Sequence, residues 1–409
     1  MFLAESVTMA DRNSVTEAPP VPKAPKADAR HGQTGRIPDL DGLRGIAILL
    51  VCLFHFNSVA TTPGLFGRLV DTLFLHLWFG VDLFFVLSGF LITKILLEAK
   101  GSASYFSAFY MRRVLRIFPL YYLTLLVYLF VSIVRQLHTG QPQDYTTQLA
   151  FWFYLQNWAI LWHRAIGVIG HFWSLAVEEQ FYLGWPLLIY WLSRRGLKRL
   201  CLALIAVAFF VKLAILFFQL PSPDLSVYAS YTLTPARLDT LAIGGLAALL
   251  VTSGREGFRS GFLLGLCLVP AAILLFVESV GGQTKFWFKA VEYSMLAPLF
   301  GVFVARSAFR SSKRGLAEMF LRSRPLQAAG KFSYAMYVVH WPLHIFMSAW
   351  AAEIIVRQPP GLQTPAKIAY ILLAILVTYA LGWISWHLIE KRVLSLKRLF
   401  PMKTIAVQR

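Results

Sequence analysis

Five short stretches of this 409-residue chain place ionisable or hydrogen-bonding side chains inside apolar runs. An ionisable group deep in a lipid-facing helix costs a few kcal/mol on insertion scales, so each stretch needs a partner or a function. In "LDGLRGIAILLVCLFHF" (40–56), Arg44 and His55 lie eleven residues apart. At roughly 100° per residue that spacing is three turns plus about 20°, and the rise is roughly 16 Å. Arg44 at a membrane boundary therefore puts His55 near the midplane on the same helix face, with Asp41 about 40° to the other side. A neutral imidazole in that position is a general base or a nucleophile. The bland alternative is a histidine hydrogen-bonded to a neighbouring helix, and co-facial Arg44 favours the chemical reading.

"FGVDLFFVLSGFLITK" (79–94) carries Asp82 and Ser88. Asp82 is expected either to orient an imidazole as part of a relay or to make a helix–helix hydrogen bond, with Gly89 permitting close packing. In "FYMRRVLRIFPLYYL" (109–123), Arg113 and Arg116 share a face at i, i+3. Paired guanidinium forks suit a phosphate, although arginines also anchor cytoplasmic ends. "GHFWSLAVEEQFYLGWPLL" (170–188) crowds His171, Trp173, Ser174, Glu178, Glu179 and Gln180 at the outer mouth of a span. Adjacent carboxylates diverge by about 100°, so only one of the two glutamates can face a cavity with His171. Ser174 is alternatively a helix cap. Finally, "GKFSYAMYVVHWPLHIF" (330–346) sets His340 one turn after Tyr337, and Pro342 frees a backbone carbonyl nearby.

Helices crossing a bilayer must hold these groups. Apolar residues are 57% of the chain and charged residues 14%, too apolar a balance for a soluble protein of this length. Stretches of about 20 apolar residues, the length that crosses a bilayer, fall near 44–62, 73–97, 116–134, 172–193, 199–220, 234–252, 260–280, 287–309, 332–352 and 367–389. The reading is an all-α polytopic bundle of about ten transmembrane helices. An eleventh apolar stretch, 146–164, is aromatic and carries Gln148, Gln156 and Asn157. Were it a span, the basic loops 193–199 and 311–324 would fall outside, against the positive-inside rule. Residues 146–171 are therefore expected as an outer interfacial or re-entrant segment, and both termini as cytoplasmic. The net charge of +19 follows from the same rule and does not imply nucleic acid.

Residues 1–36 read as a disordered cytoplasmic tail, 37–395 as one membrane domain and 396–409 as a basic cytoplasmic tail. The three cysteines lie in separate apolar runs without metal spacing, so no metal site is expected.

Taken in order, "IPDLDGLRGIAILLVCLFHF", "FGVDLFFVLSGFLI", "FYMRRVLRIFPLYYL", "HFWSLAVEEQFYLGWPLL" and "FSYAMYVVHWPL" resemble the integral membrane acyltransferase-3 family of carbohydrate O-acyltransferases over nearly all of 37–395. Arg44 and His55 match its Arg-ten residues-His pattern, Arg113 and Arg116 its RxxR pattern, and Ser174 and Glu178 its SxxxE pattern. The late "IEKP" pattern reads "IEKR" at 389–392. The resemblance implies transfer of an acyl group, usually acetyl, from cytoplasmic acyl-CoA to a hydroxyl of a glycan or lipid-linked sugar at the outer face of a bacterial inner membrane. On that reading His55, Asp82 and Glu178 are catalytic, Arg44, Arg113 and Arg116 hold the acyl-CoA donor, and His171, Trp173, Ser174 and His340 meet the acceptor. The rival reading is a proton-coupled transporter of a sugar or organic anion using His55 and Asp82 as relay. No internal repeat is visible in the sequence to support it.

Overall fold

The computed structural model describes residues 37–140, 145–162, 167–253, 286–309 and 315–402. Among them every regular element is helical. In chain order these are α1 (Pro38–Asn57), α2 (Gly64–Leu75), α3 (Gly80–Ala99), α4 (Tyr105–Thr139), α5 (Tyr145–Trp152), α6 (Trp173–Trp191), α7 (Arg194–Phe217), α8 (Pro223–Thr232) and α9 (Thr234–Thr252). They continue as α10 (Phe286–Phe309), α11 (Leu316–Leu321), α12 (Arg324–Val356), α13 (Pro360–Ser385) and α14 (Lys391–Ser395).

Nine of the ten expected spans coincide with α1, α3, α4, α6, α7, α9, α10, α12 and α13, while 260–280 lies outside the described residues. Seven helical stretches among the described residues are long and apolar enough to cross a membrane, or eight if the bent stretch ending in α6 is one span. The helix α1 is not among them: Asp39, Asp41 and Arg44 crowd its first two turns. It is nevertheless central, packed on α12, α3 and α13. The regular elements among the described residues of 146–171 are α5 and two short 3-10 segments, Gln156–Trp162 and Gly167–Phe172.

Backbone contact between helices fixes the bundle. A Cβ on Gly330 of α12 would lie 2.0 Å from the Asp41 carbonyl oxygen of α1, and one on Gly42 of α1 would lie 2.1 Å from that of Leu321. The pair α3 and α9 is equally tight, with Gly89 against Leu241 and Gly244 against Val86. Without a hydrophobic drive between helices in lipid, such small residues allow the van der Waals contact that holds helices together. Asp39 and Arg322, joined by two hydrogen bonds of 2.5 and 2.9 Å, tie the start of α1 to the turn before α12.

The chain after α14 is not a free tail at its start. Leu396–Leu399 forms a 3-10 turn, and the Pro401 carbonyl accepts from Ser104 beside the start of α4. This carries Lys397 to the same end of the bundle as Arg44, Arg113 and Arg116.

Candidate active site

Arg44 of α1, Arg113 and Arg116 of α4 and Lys397 gather on one cavity of about 290 Å³. The i, i+3 spacing read from the sequence puts the two α4 arginines on one face, and the packing of α1 beside them adds the third. Arg113 is steadied by the rings of Phe109 and Tyr182, 5.7 and 5.5 Å from its guanidinium carbon. None of the three arginines makes an ion pair among the described residues. Three guanidinium groups and an ammonium around one cavity, with Glu178 as the one carboxylate lining it, leave an excess of positive charge suited to a multiply charged anion.

The α3 side chains Phe84, Leu87, Leu91, Ile92 and Ile95 form an apolar wall leading inward from the arginines. Ser88 of α3 bonds the Tyr182 hydroxyl of α6 at 2.5 Å. Glu178 lines the same cavity beside Ser88, Tyr182, Arg44 and Arg113. The outer-mouth position expected for Glu178 is therefore corrected: α6 runs inward from Trp173, and Glu178 is already on the arginine side of Ser174. Glu179 does not line the cavity, in keeping with the divergence of neighbouring helix positions.

The inner end of the cavity is closed by Ser174 and Tyr337, and behind them lie the histidines. The His340 ring centroid is 5.0 Å from that of His55 and 5.0 Å from that of His171. Each ring is fixed by one backbone carbonyl. His55 Nδ1 donates to Val51 O at 2.9 Å, His340 Nδ1 to Tyr337 O at 2.6 Å, and His171 Nε2 to Val338 O at 3.2 Å. A carbonyl only accepts, so these nitrogens carry the protons, and His55 Nε2, His340 Nε2 and His171 Nδ1 keep their lone pairs. Among the described residues the buried His340 Nε2 and His171 Nδ1 have no hydrogen-bond partner. Pro342 explains the third bond: its missing N–H leaves the carbonyl four residues back, Val338, for His171. His344 joins the outer edge through Ser58 at 3.1 Å.

Several expectations change. Asp82 does not orient an imidazole: its carboxylate is buried, ion-paired with Arg237 of α9 and hydrogen-bonded by Tyr231 at 3.2 Å. The tautomer of His55 is set by Val51 O, one turn back, rather than by Asp82 or Asp41. Ser174 does not cap α6, since its hydroxyl bonds His171 O at 3.2 Å and the Tyr337 hydroxyl. Trp173 is buried edge-on against Phe85 and Tyr231 and does not line the cavity, so no acceptor contact for it is visible.

Sequence reasoning passed over Arg237, Asp239 and Lys212. Arg237 pairs with Asp82, and Lys212 of α7 pairs with Asp239. The signal was available as charges inside the 199–220 and 234–252 spans. Lys397 and Tyr182 gave no such signal, because a basic residue after the last span and a tyrosine within one are ordinary. Among the described residues no group of His, Cys, Asp and Glu is arranged to hold a metal ion.

Residues 37–387 match the family described as "Acyltransferase domain". The chain is similar to YrhL of Bacillus subtilis (strain 168), 29% identical over 385 residues covering 87% of this chain and 55% of that protein. It is also similar to the O-acetyltransferase OatA of Staphylococcus aureus (strain NCTC 8325 / PS 47), 28% identical over 374 residues, 87% of this chain and 56% of that one. The peptidoglycan O-acetyltransferase OatA of Listeria monocytogenes is 26% identical over 371 residues. The chain thus spans little more than half the length of these relatives. No solved structure matches it.

Proposed function

This chain belongs to the acyltransferase-3 family, and we propose that it O-acetylates a cell-surface carbohydrate at the outer membrane face, taking the acetyl group from cytoplasmic acetyl-CoA. The observation that carries this reading is the cavity itself. Unpaired arginines stand at one end, and an imidazole with a free Nε2 lies just beyond the other. The carbohydrate acceptor is supported by relatives named as O-acetyltransferases, two of which name peptidoglycan.

Arg44, Arg113 and Arg116 hold the phosphates of acetyl-CoA, and Lys397 adds charge at the mouth. The pantetheine arm runs along the apolar α3 wall, which brings the thioester toward Ser174 and Tyr337. His171 Nδ1 and His340 Nε2 accept hydrogen bonds from the acceptor sugar. Two routes then use the same atoms. In one, His55 Nε2 removes the proton of the attacking hydroxyl, the new C–O bond forms, the C–S bond breaks, and the proton passes to the departing thiolate of CoA. In the other, Nε2 attacks the thioester, CoA leaves, and the acyl-imidazole gives its acetyl group to the hydroxyl. Glu178, between the arginines and Ser174, is the carboxylate within reach of the donor side.

The transporter reading is not favoured, because the family is one of acyltransferases and the proposed relay partner Asp82 is held by Arg237. Membranes incubated with [14C]acetyl-CoA should transfer label to glycan, and His55→Ala should abolish transfer with the protein level unchanged. Full transfer by His55→Ala would sink the assignment. Label trapped on wild-type His55 in acceptor-free protein selects the covalent route.

A further inference from the structure

The donor cavity and the histidines are separate compartments, and one residue belongs to both. Tyr337 and Ser174 line the cavity, whereas His55, His171 and His340 do not. The far side of the Tyr337 ring meets His171 and His340, with centroids 5.4 and 5.2 Å away. Its hydroxyl closes a ring of three close polar pairs that two hydroxyl protons serve, 2.5 Å from Ser174 Oγ and 2.9 Å from the carbonyl of His171. Ser174 Oγ meets the same carbonyl at 3.2 Å, and the Tyr337 backbone carbonyl holds His340 Nδ1. The arginine-lined cavity includes Tyr337 but not His55, so Tyr337 stands at the boundary between a thioester held there and the imidazoles.

Resting on the activity assigned above, we propose that Tyr337 and Ser174 are a coupling gate that keeps the donor thioester from the imidazoles until the acceptor engages His171. The need is chemical. A thioester beside a basic imidazole and water is hydrolysed, with water adding to the carbonyl, the C–S bond breaking, and acetate and CoA released. The geometry supplies the link. A sugar hydroxyl bonded to His171 Nδ1 pulls on the residue whose carbonyl holds the Tyr337 and Ser174 hydroxyls. Displacing that carbonyl frees both hydroxyls and lets the ring swing aside. Tyr337 is thus a positioning residue, acting through His171, His340 and Ser174. Its side chain does no bond-making.

The test separates hydrolysis from transfer. Purified full-length protein in detergent is given [14C]acetyl-CoA without any glycan, and released acetate is measured. Native membranes carrying the same variant are given the same donor, and label in glycan is measured. Tyr337→Phe keeps the ring and removes the hydroxyl, so acceptor-free hydrolysis should rise at least fivefold over wild type while glycan label falls. Ser174→Ala breaks the same hydrogen-bond ring from the other side and should shift the ratio of hydrolysis to transfer in the same direction. Tyr121→Phe removes a buried hydroxyl bonded to Phe151 O away from the cavity and should leave the ratio at the wild-type value. A ratio unchanged in both Tyr337→Phe and Ser174→Ala overturns the gate, as does a parallel loss of both activities in the two variants. Absence of labelled glycan in wild-type membranes overturns instead the underlying activity.

Discussion

Each of His55, His171 and His340 has one nitrogen committed to a backbone carbonyl, which leaves the other with its lone pair. Carbonyls are better suited to this than carboxylates would be here. They fix the tautomer without adding a buried negative charge that would hold the imidazole in its protonated, non-nucleophilic form. The carboxylate that might have done so, Asp82, is neutralised by Arg237, which also lies over the Tyr231 ring at 4.6 Å. At the donor end the choice of arginine matters. Arg113→Gln should raise KM for acetyl-CoA by about tenfold with kcat little changed, the pattern of lost ground-state binding worth about 1.4 kcal/mol. Arg113→Lys should restore only part of this, because an ammonium cannot reproduce the two-pronged phosphate contact. Steady-state kinetics at varied donor concentration decide it, and an unchanged KM in the glutamine variant removes Arg113 from the donor site.

Helices place these residues by devices that are local and cheap. The backbone approach at Gly42 and Gly330 presses α1 against α12, which is what brings His55 to His340. The proline in α12 costs that helix one hydrogen bond and gives the carbonyl to a side chain from the segment before α6. Pro342→Ala should return the missing N–H, which then competes with His171 for Val338 O. Losing one orienting hydrogen bond of about 1 kcal/mol should lower glycan acetylation roughly fivefold. The melting temperature should hold or rise, because proline is the poorest residue for a helix interior. A variant with wild-type transfer would show that the Val338 contact does not position His171. Position 342 could be flagged from sequence as a place where a carbonyl is freed, but its recipient could not, since His171 lies 167 residues from Val338.

Across the whole molecule, the arginines, Lys397, the Asp39–Arg322 pair and the chain after α14 share one end of the bundle. The outer-side reading places Ser58, His344 and the Lys367–Asp71 pair, which ties α13 to α2, at the other. The molecule is therefore polarised, with the basic cluster at one end and the histidines deeper in. If the basic end is cytoplasmic, sealed inside-out vesicles should acetylate from added acetyl-CoA and sealed right-side-out vesicles should not until permeabilised. Equal rates in both preparations would contradict that orientation.

The sequence by itself determined the class, most of the spans and which of them carry ionisable groups singled out as candidates. Hydropathy fixes span length, helical periodicity aligns Arg44 with His55 and pairs Arg113 with Arg116, and ionisable groups in lipid declare themselves by their cost. Periodicity reports which face a residue occupies but not what that face meets. Only the tertiary structure decided that Asp82 faces Arg237 rather than an imidazole, and that Glu178 shares a cavity with the arginines that His171 does not line. It also placed Tyr337 between the arginine-lined cavity and His340. Those outcomes depend on which helices pack side by side, and that is set by contacts between residues far apart in the chain.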